Sequence, residues 1–276
     1  EYPMAKADLH NHLRTSSRHY EGDFDRTVDV ALKRLGENAI VGVVNFEDDR
    51  YKDLIESRGY ERVYVGENRT GVYVPGKKVL IVKGQEVPTR EGHLLVLGLG
   101  CDKHLKQGRP LEDTLEDVRD NGAIAISDHP FSIEGLGPYL KRNSNLLGEI
   151  DSIEIHNGEA SFGLPIGPLP LGANKKAREF YERIKKDFPH FGALSFSDGH
   201  SWYELGSSWT EIEMPELEGN FVQSLKDSIR KTNLQTPMQM KSSVIGAIDH
   251  IADLLFITRI APWIGLAKRF ETKRPE

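Results

Sequence analysis

Short apolar runs alternate along this chain with segments whose apolar residues recur at helical spacing, and no other feature limits the fold so tightly. The runs fall at 5–8, 39–44, 79–82, 94–97, 123–126, 152–155, 193–196 and 209–212, rich in the aliphatic and β-branched residues that suit buried strands. Between them Val28, Ala31, Leu32 and Leu35 lie on one helical face, as do Ala177, Phe180, Ile184 and Phe188. Pro110 followed by LEDTLEDVRDNG marks a further helix, with proline at its start, acidic residues in its early turns and glycine at its end. This alternation predicts a parallel α/β fold, and seven or so βα units predict a barrel.

A chain of 276 residues, 38% hydrophobic and 28% charged, has ample material for such a core and excludes collagen-like, low-complexity and wholly disordered classes. Its net charge of −6 argues against a protein-wide grip on long duplex or on an anionic membrane. Cys101, the single cysteine, makes neither an internal disulfide nor a cysteine zinc cluster, so a metal site has to use His and carboxylate. No secretory pattern opens the sequence, and the apolar stretch 244–266 is interrupted by Asp249, His250, Asp253, Arg259 and Pro262, so a cytoplasmic protein without a membrane span is expected. Residues 1–240 are read as the barrel and 241–276 as a helical extension, packed on the barrel or forming a homo-oligomer contact. The segment 59–78 fits no βα unit and reads as a lid or an edge hairpin.

Five of the runs end in residues that ligate metals. His10-Asn11-His12 follows the first and Gly84-Gln85-Glu86 the third; Asp128-His129-Pro130, His156-Asn157-Gly158 and Ser197-Asp198-Gly199-His200 follow later ones. In a βα barrel the C-terminal strand ends meet in one cleft, so ligands scattered in sequence converge in space. His10 and His12 are two residues apart, which places both side chains on one face of extended chain, and Asp198 and His200 repeat the spacing. Buried His and carboxylates at strand ends need a partner or a metal. Imidazole with carboxylate suits Zn, Mn or Fe rather than Ca.

The DLHNH start, GQEV, GHLLVLG, SDHP and SDGH, in this order, resemble the polymerase and histidinol phosphatase (PHP) domain over roughly 7–201. The resemblance implies a distorted seven-stranded (β/α) TIM-like barrel with two or three divalent ions (Zn, Mn or Fe) at its C-terminal mouth. It implies a first ion on His10, His12, Glu86 and Asp198, and a second on Glu86, His93 and His129. A third would take His200 with His19, where TSSRH offers Arg18 or His19 at the ligand position. The chain departs from the family at Val44-Asn45-Phe46-Glu47, where an Asp-His pair is usual; Phe46 ligates nothing, and Glu47, Asp48 or Asp49 are the substitutes from that loop.

The expected activity is hydrolysis of a phosphomonoester or phosphodiester, from a small phosphorylated substrate or a short nucleic-acid end, by metal-activated water. Arg14 and Arg18 are candidate phosphate clamps, with Arg50, Lys52 and Arg69 behind them. His156 is read as ligand, substrate contact or wall residue, with a catalytic role in the cleft as its assignment, and Tyr64 and Tyr73 as base-stacking or hairpin residues. Two alternatives stand beside this activity. One is an amidohydrolase-type C–N hydrolase, for which Lys83 is the nearby lysine; the other is a catalytically silent metal-binding module, which Phe46 favours.

Overall fold

The computed structural model describes residues 3–13, 23–160 and 172–242. Its elements run β1 (Met4–Asp8), α1 (Asp23–Leu35), β2 (Ala39–Asn45), α2 (Arg50–Glu56), β3 (Val63–Val65), β4 (Gly71–Val74), β5 (Val79–Pro88) and β6 (His93–Leu97). After these come α3 (Leu111–Asp120), β7 (Ile124–Ser127), α4 (Gly137–Arg142), β8 (Ser152–Asn157), α5 (Ala173–Ile184), β9 (Gly192–Phe196), β10 (Trp209–Glu213), α6 (Phe221–Arg230) and β11 (Met238–Gln239). Every apolar run of the sequence thus falls on a strand, apart from Ala123, which precedes β7.

One sheet carries these strands in the order β11-β10-β1-β2-β5-β6-β7-β8-β9. It curls into a nearly closed barrel, because Thr210 of β10 accepts the backbone N–H of Ser195 at 2.7 Å and so ties β9 to the other end of the path. Two expectations need correction. The path has nine strands among the described residues rather than seven, and the sheet is mixed rather than parallel. β1–β2, β2–β5, β7–β8 and β8–β9 are parallel, whereas β5–β6, β6–β7, β1–β10 and β10–β11 are antiparallel. The physical reason is the connection length: only Thr89–Gly92 separates β5 from β6, too short for the crossover that a parallel pair requires. The unassigned segment 59–78 holds the antiparallel pair β3–β4, which adds to β5 as an edge hairpin.

Three apolar clusters hold the layers together. Inside the barrel Ala7, Ile40, Val82, Leu95, Ile126 and Phe196 pack with Phe221, Leu225 and Ile229 of α6, which covers the end of the barrel where β9 begins. On one outer side α3 and α5 bury Leu115, Val118, Ala177 and Phe180 against Ala125, Ile153 and Ile155. On the other, α1 and α2 bury Phe24, Val28, Ala31, Leu54 and Ile55 against Val41, Val43 and Ile81. Close layering is visible at Gly42 in β2, where a Cβ would stand 2.0 Å from the carbonyl oxygen of Leu9. Among the described residues no helix is long and apolar enough to cross a membrane. All but two residues of the proposed 241–276 extension lie outside the described ones.

Candidate metal centre

The polar side chains gather at the barrel end opposite α6. Asp8 prepares their frame. Its buried carboxylate accepts the N–H of Ser197 at 3.0 Å, the Ser197 hydroxyl at 2.6 Å and the N–H of Gly206 at 2.7 Å, which binds the end of β1 to the loop after β9. Burial raises its pKa to about 6 against these hydrogen bonds, which lower it. The N–H of His12 donates to the Gly199 carbonyl at 2.8 Å, so the His10-Asn11-His12 and Asp198-Gly199-His200 segments run side by side.

His10 is fully buried, and its Nδ1 lies 2.7 Å from Glu154 Oε1. With that nitrogen donating to a carboxylate, Nε2 is left as a lone pair, aimed at the spot where His12 Nε2 (3.1 Å) and Asp198 Oδ1 (3.3 Å) also point. Glu86 collects the remaining imidazoles: Oε2 lies 2.9 Å from His12 Nε2, and Oε1 lies 2.6 Å from His93 Nδ1 and 3.0 Å from His129 Nε2. The tight β5–β6 hairpin makes this possible, since it returns His93 beside Glu86. Asp128 follows β7 with both carboxylate oxygens buried and without hydrogen-bond donors, and His12 Nδ1 is likewise unpartnered. Asp198 and His129 adopt positive φ of 54° and 22°, a strained backbone that concentrates at functional sites.

Charge follows the geometry. Burial disfavours the His10 cation, but Asp198 and Glu154 outweigh it and hold the imidazole well above its ordinary pKa; burial brings His12 down to about 4. Burial also opposes ionisation of Glu86, yet hydrogen bonds from His12, His129 and His93 hold it well below the usual carboxylate range. Asp128, buried near other carboxylates, rises to about 7. Burial and the Asp198 charge likewise lift Glu159 to about 7; His200, which burial depresses, is brought up to about 9 by Glu159 at 2.9 Å.

Three overlapping sets of ligand atoms lie within 4.8 Å of one another: His10, Glu86, Asp128 and His129; His10, His12 and Asp198; and Glu159, Asp198 and His200. The donor set fits divalent cations. His12 Nδ1 and both Asp128 carboxylate oxygens are buried without hydrogen-bond partners, Asp128 meeting only His129 Nε2 at 3.5 Å, so the cluster has unused buried donor atoms.

His10, His12, Glu86, His93, His129, Asp198 and His200 are therefore brought together. His19, Arg14 and Arg18 lie outside the described residues. His156 is turned away, because a register irregularity between Glu154 and His156 rotates the strand. Glu154 and Asn157 face the cluster, while the His156 ring meets the Lys241 carbonyl at 3.3 Å and the Asn174 amide at 3.2 Å. Phe46 stacks on His12, centroids 4.8 Å apart and planes within 8°. The acidic loop behind it is engaged elsewhere: Glu47 accepts the Gln107 N–H, Asp48 pairs with Arg50 and Asp49 meets His104. Lys52 and Arg69 hold Asp102 and Glu56. Lys83 faces outward and donates to the carbonyls of Gly100, Cys101 and Lys103, away from the ligands.

Sequence reasoning missed Asp128 as a ligand, Glu154 and Glu159. The signal for Glu154 was a carboxylate inside an apolar run, between Ile153 and Ile155, where only a polar partner makes burial tolerable. Glu159 had no such signal. A separate cavity of about 980 Å³, between 66–70, 98–104 and the start of α6, is lined by none of the converging ligands.

No family model matches the sequence. An uncharacterized protein of Methanocaldococcus jannaschii is 25% identical over 159 residues, 55% of this chain and 81% of that protein. Among solved structures, PsfC from Pseudomonas syringae PB-5123 superposes with a TM-score of 0.57 and 17% identity over 92% of this chain and 97% of its own. The lesion-specific endonuclease PfuEndoQ from Pyrococcus furiosus gives 0.51 and 14%, over 86% of this chain and 58% of the endonuclease. A two-domain protein from Bacteroides vulgatus, containing a predicted PHP-like metal-dependent phosphoesterase, gives 0.51 and 16%, over 87% of this chain and 66% of its own.

Proposed function

We propose that this chain, which has the fold of PHP-domain proteins, is a metal-dependent hydrolase of phosphoesters. The observation that carries the reading is the convergence of ligand atoms from five strand ends and the β5–β6 hairpin on one barrel mouth. His10, His12 and Asp198 would hold one cation, and Glu86, Asp128 and His129 a second, with His93 beside Glu86. Zn, Mn and Fe suit this imidazole and carboxylate set. Divalent ions there supply Lewis acidity toward water and neutralise charge at a phosphoryl oxygen.

The chain's own residues prepare that chemistry. Glu154 fixes the His10 tautomer, and Asn157 donates 2.8 Å to Glu154 and 3.0 Å to Asp198, locking the two carboxylates in one frame. Phe46 covers one face of His12 and keeps water from it. Arg14 and Arg18, in the segment after His12, are assigned to the substrate phosphate, since Arg50, Lys52 and Arg69 already hold carboxylates. His156, held by the Lys241 carbonyl and Asn174, is not assigned to protonate the leaving group. The substrates are small phosphorylated compounds or short nucleic-acid ends, and a net charge of −6 disfavours extended duplex. Lys83, facing away from the ligands, disfavours a carbamylated-lysine C–N hydrolase.

The test pairs metal content with turnover of p-nitrophenyl phosphate and bis(p-nitrophenyl) phosphate, for the native chain and for Glu86→Ala and His10→Ala. Stoichiometric divalent metal with turnover of one ester is expected in the native chain, and loss of both in the variants. A filled site that turns over neither ester would overturn the reading.

A further inference from the structure

Two of the loops that carry ligands to the mouth also anchor helices of the outer wall. Past His129, the N–H of Gly137 donates to the Pro130 carbonyl at 2.7 Å, which starts α4 at the rim. Past β8, Asn157 turns the chain by accepting the N–H of Glu159 at 3.1 Å, and its backbone is bonded twice to Asn174 of α5: its N–H donates to the Asn174 side chain at 3.1 Å, and its carbonyl accepts the Asn174 amide at 3.0 Å. Both helices therefore begin at the mouth, and the side chains about one turn into each are basic. Lys141 of α4 is exposed, its ammonium 4.4 Å from the centre of the Phe131 ring and 5.9 Å from that of Phe180, over the seam between the two helices. Lys176 and Arg183, seven residues apart and so on one flank of α5, face the same seam: after burial, Arg183 and Lys176 are the charges that lower the Lys141 pKa. The carboxylates of α5 are turned to other cations, Glu179 to Lys175 at 3.9 Å and Glu182 to Lys185 at 2.7 Å. Among the described residues no carboxylate lies within ion-pair distance of Lys141, Lys176 or Arg183, whereas Lys52, Lys77, Lys78 and Arg119 elsewhere on the surface each hold one.

We propose that the α4–α5 face, with Lys141, Lys176 and Arg183 at its centre, binds the phosphate backbone of a single nucleic-acid strand. That the end of this strand is then a substrate rests on the hydrolase reading. Three cations gathered without carboxylates repel one another, and a row of phosphates turns that repulsion into attraction while the strand releases its counterions. The charge is local. Residues 173–186 hold six lysines and arginines against two glutamates, in a chain whose net charge is −6. That net charge opposes a duplex wrapped on the molecule, whereas a face one helix pair wide, beginning at the mouth, suits one strand. A merely solvated basic face is the competing account.

The experiment is fluorescence anisotropy of a labelled single-stranded oligonucleotide with the full chain, stripped of metal by chelator so that the strand stays intact, over a series of salt concentrations. The native chain is compared with the triple variant Lys141→Gln, Lys176→Gln, Arg183→Gln. Reloading with Mn²⁺, which those side chains do not touch, checks in each that the mouth is intact. Three phosphate contacts predict that log K falls against log salt with a slope of about −2 in the native chain, shallower by about that amount in the variant, and that the variant binds about 10-fold or more weakly at low salt. No binding by the native chain, or equal affinity in the two, overturns the surface and leaves the hydrolase reading standing. So does a variant that loses Mn²⁺ together with the strand. Full displacement of the strand by inorganic phosphate at the strand's own concentration, or binding to vesicles of anionic phospholipid in place of the strand, overturns it as well. A native chain that binds the strand but, filled with Mn²⁺, turns over neither nitrophenyl ester keeps the surface and overturns the hydrolase reading alone.

Discussion

Glu154 holds three donors at once, His10 Nδ1 at 2.7 Å, the His129 N–H at 2.8 Å and Asn157 Nδ2 at 2.8 Å, in a place with no solvent. Its carboxylate touches no substrate and acts through the residues it positions. Glu154→Gln keeps the shape but replaces one acceptor oxygen by a donor facing donors. Mn²⁺ affinity, measured by competition with a fluorescent chelator, should fall about 10–100-fold, the usual effect of removing a ligand's orienting partner. Unchanged affinity would deny Glu154 that role. At this scale the residues visible in the sequence were those whose ligand character coincides with a strand end: His10, His12, Glu86, Asp198 and His200 stand where an apolar run stops. Glu159 stayed hidden because its place depends on the Asn157 turn, which no periodicity encodes, and of the places the sequence leaves open for His156 a strand irregularity favours the one turned from the cluster.

The β5–β6 hairpin is the element in which expectation and structure differ most, and it is also the one that brings His93 to Glu86. Its hinge is Gly92, at φ 149°, where a Cβ would stand 2.7 Å from the Glu134 carbonyl. Gly92→Ala should destabilise the chain by about 1–3 kcal/mol, the usual scale of such backbone strain, and should weaken Mn²⁺ binding through His93. Urea unfolding of the stripped chain and Mn²⁺ titration measure the two effects separately. On the outer face of β5, Lys83 binds three carbonyls of 100–103 while fully buried, and burial lowers its pKa from 10.5 to about 8. Between those values the unfolded chain carries one proton more than the folded one, so stability rises with pH there and levels off below about 8. Lys83→Met should lose about 1–3 kcal/mol near neutrality through its orphaned carbonyls, and its unfolding free energy should lack this rise between pH 8 and 10.

For the whole molecule, the sequence pattern conveyed the α/β class and every long strand, but not the mixed path of nine, because alternation cannot tell an antiparallel return from a crossover when both strands are buried. The barrel closes only nearly, and its mouth is where β1, β5, β7, β8 and β9 deliver carboxylates and imidazoles to one volume. Ions bound there join strand ends that are far apart in sequence, and they have no equivalent site in the unfolded chain. Their binding is therefore folding free energy, amounting to about 2.7 kcal/mol when free ion stands at 100 times Kd and about 4.1 kcal/mol at 1,000 times. For a chain of this size that is roughly 5–15 °C in Tm. Calorimetry should show the stripped native chain melting lower than the Mn²⁺-loaded one by that amount. In Glu86→Ala the gap should shrink to a few degrees or less, because the carboxylate that reaches His12, His93 and His129 is gone. An undiminished gap in that variant would place the stabilising ions elsewhere on the molecule.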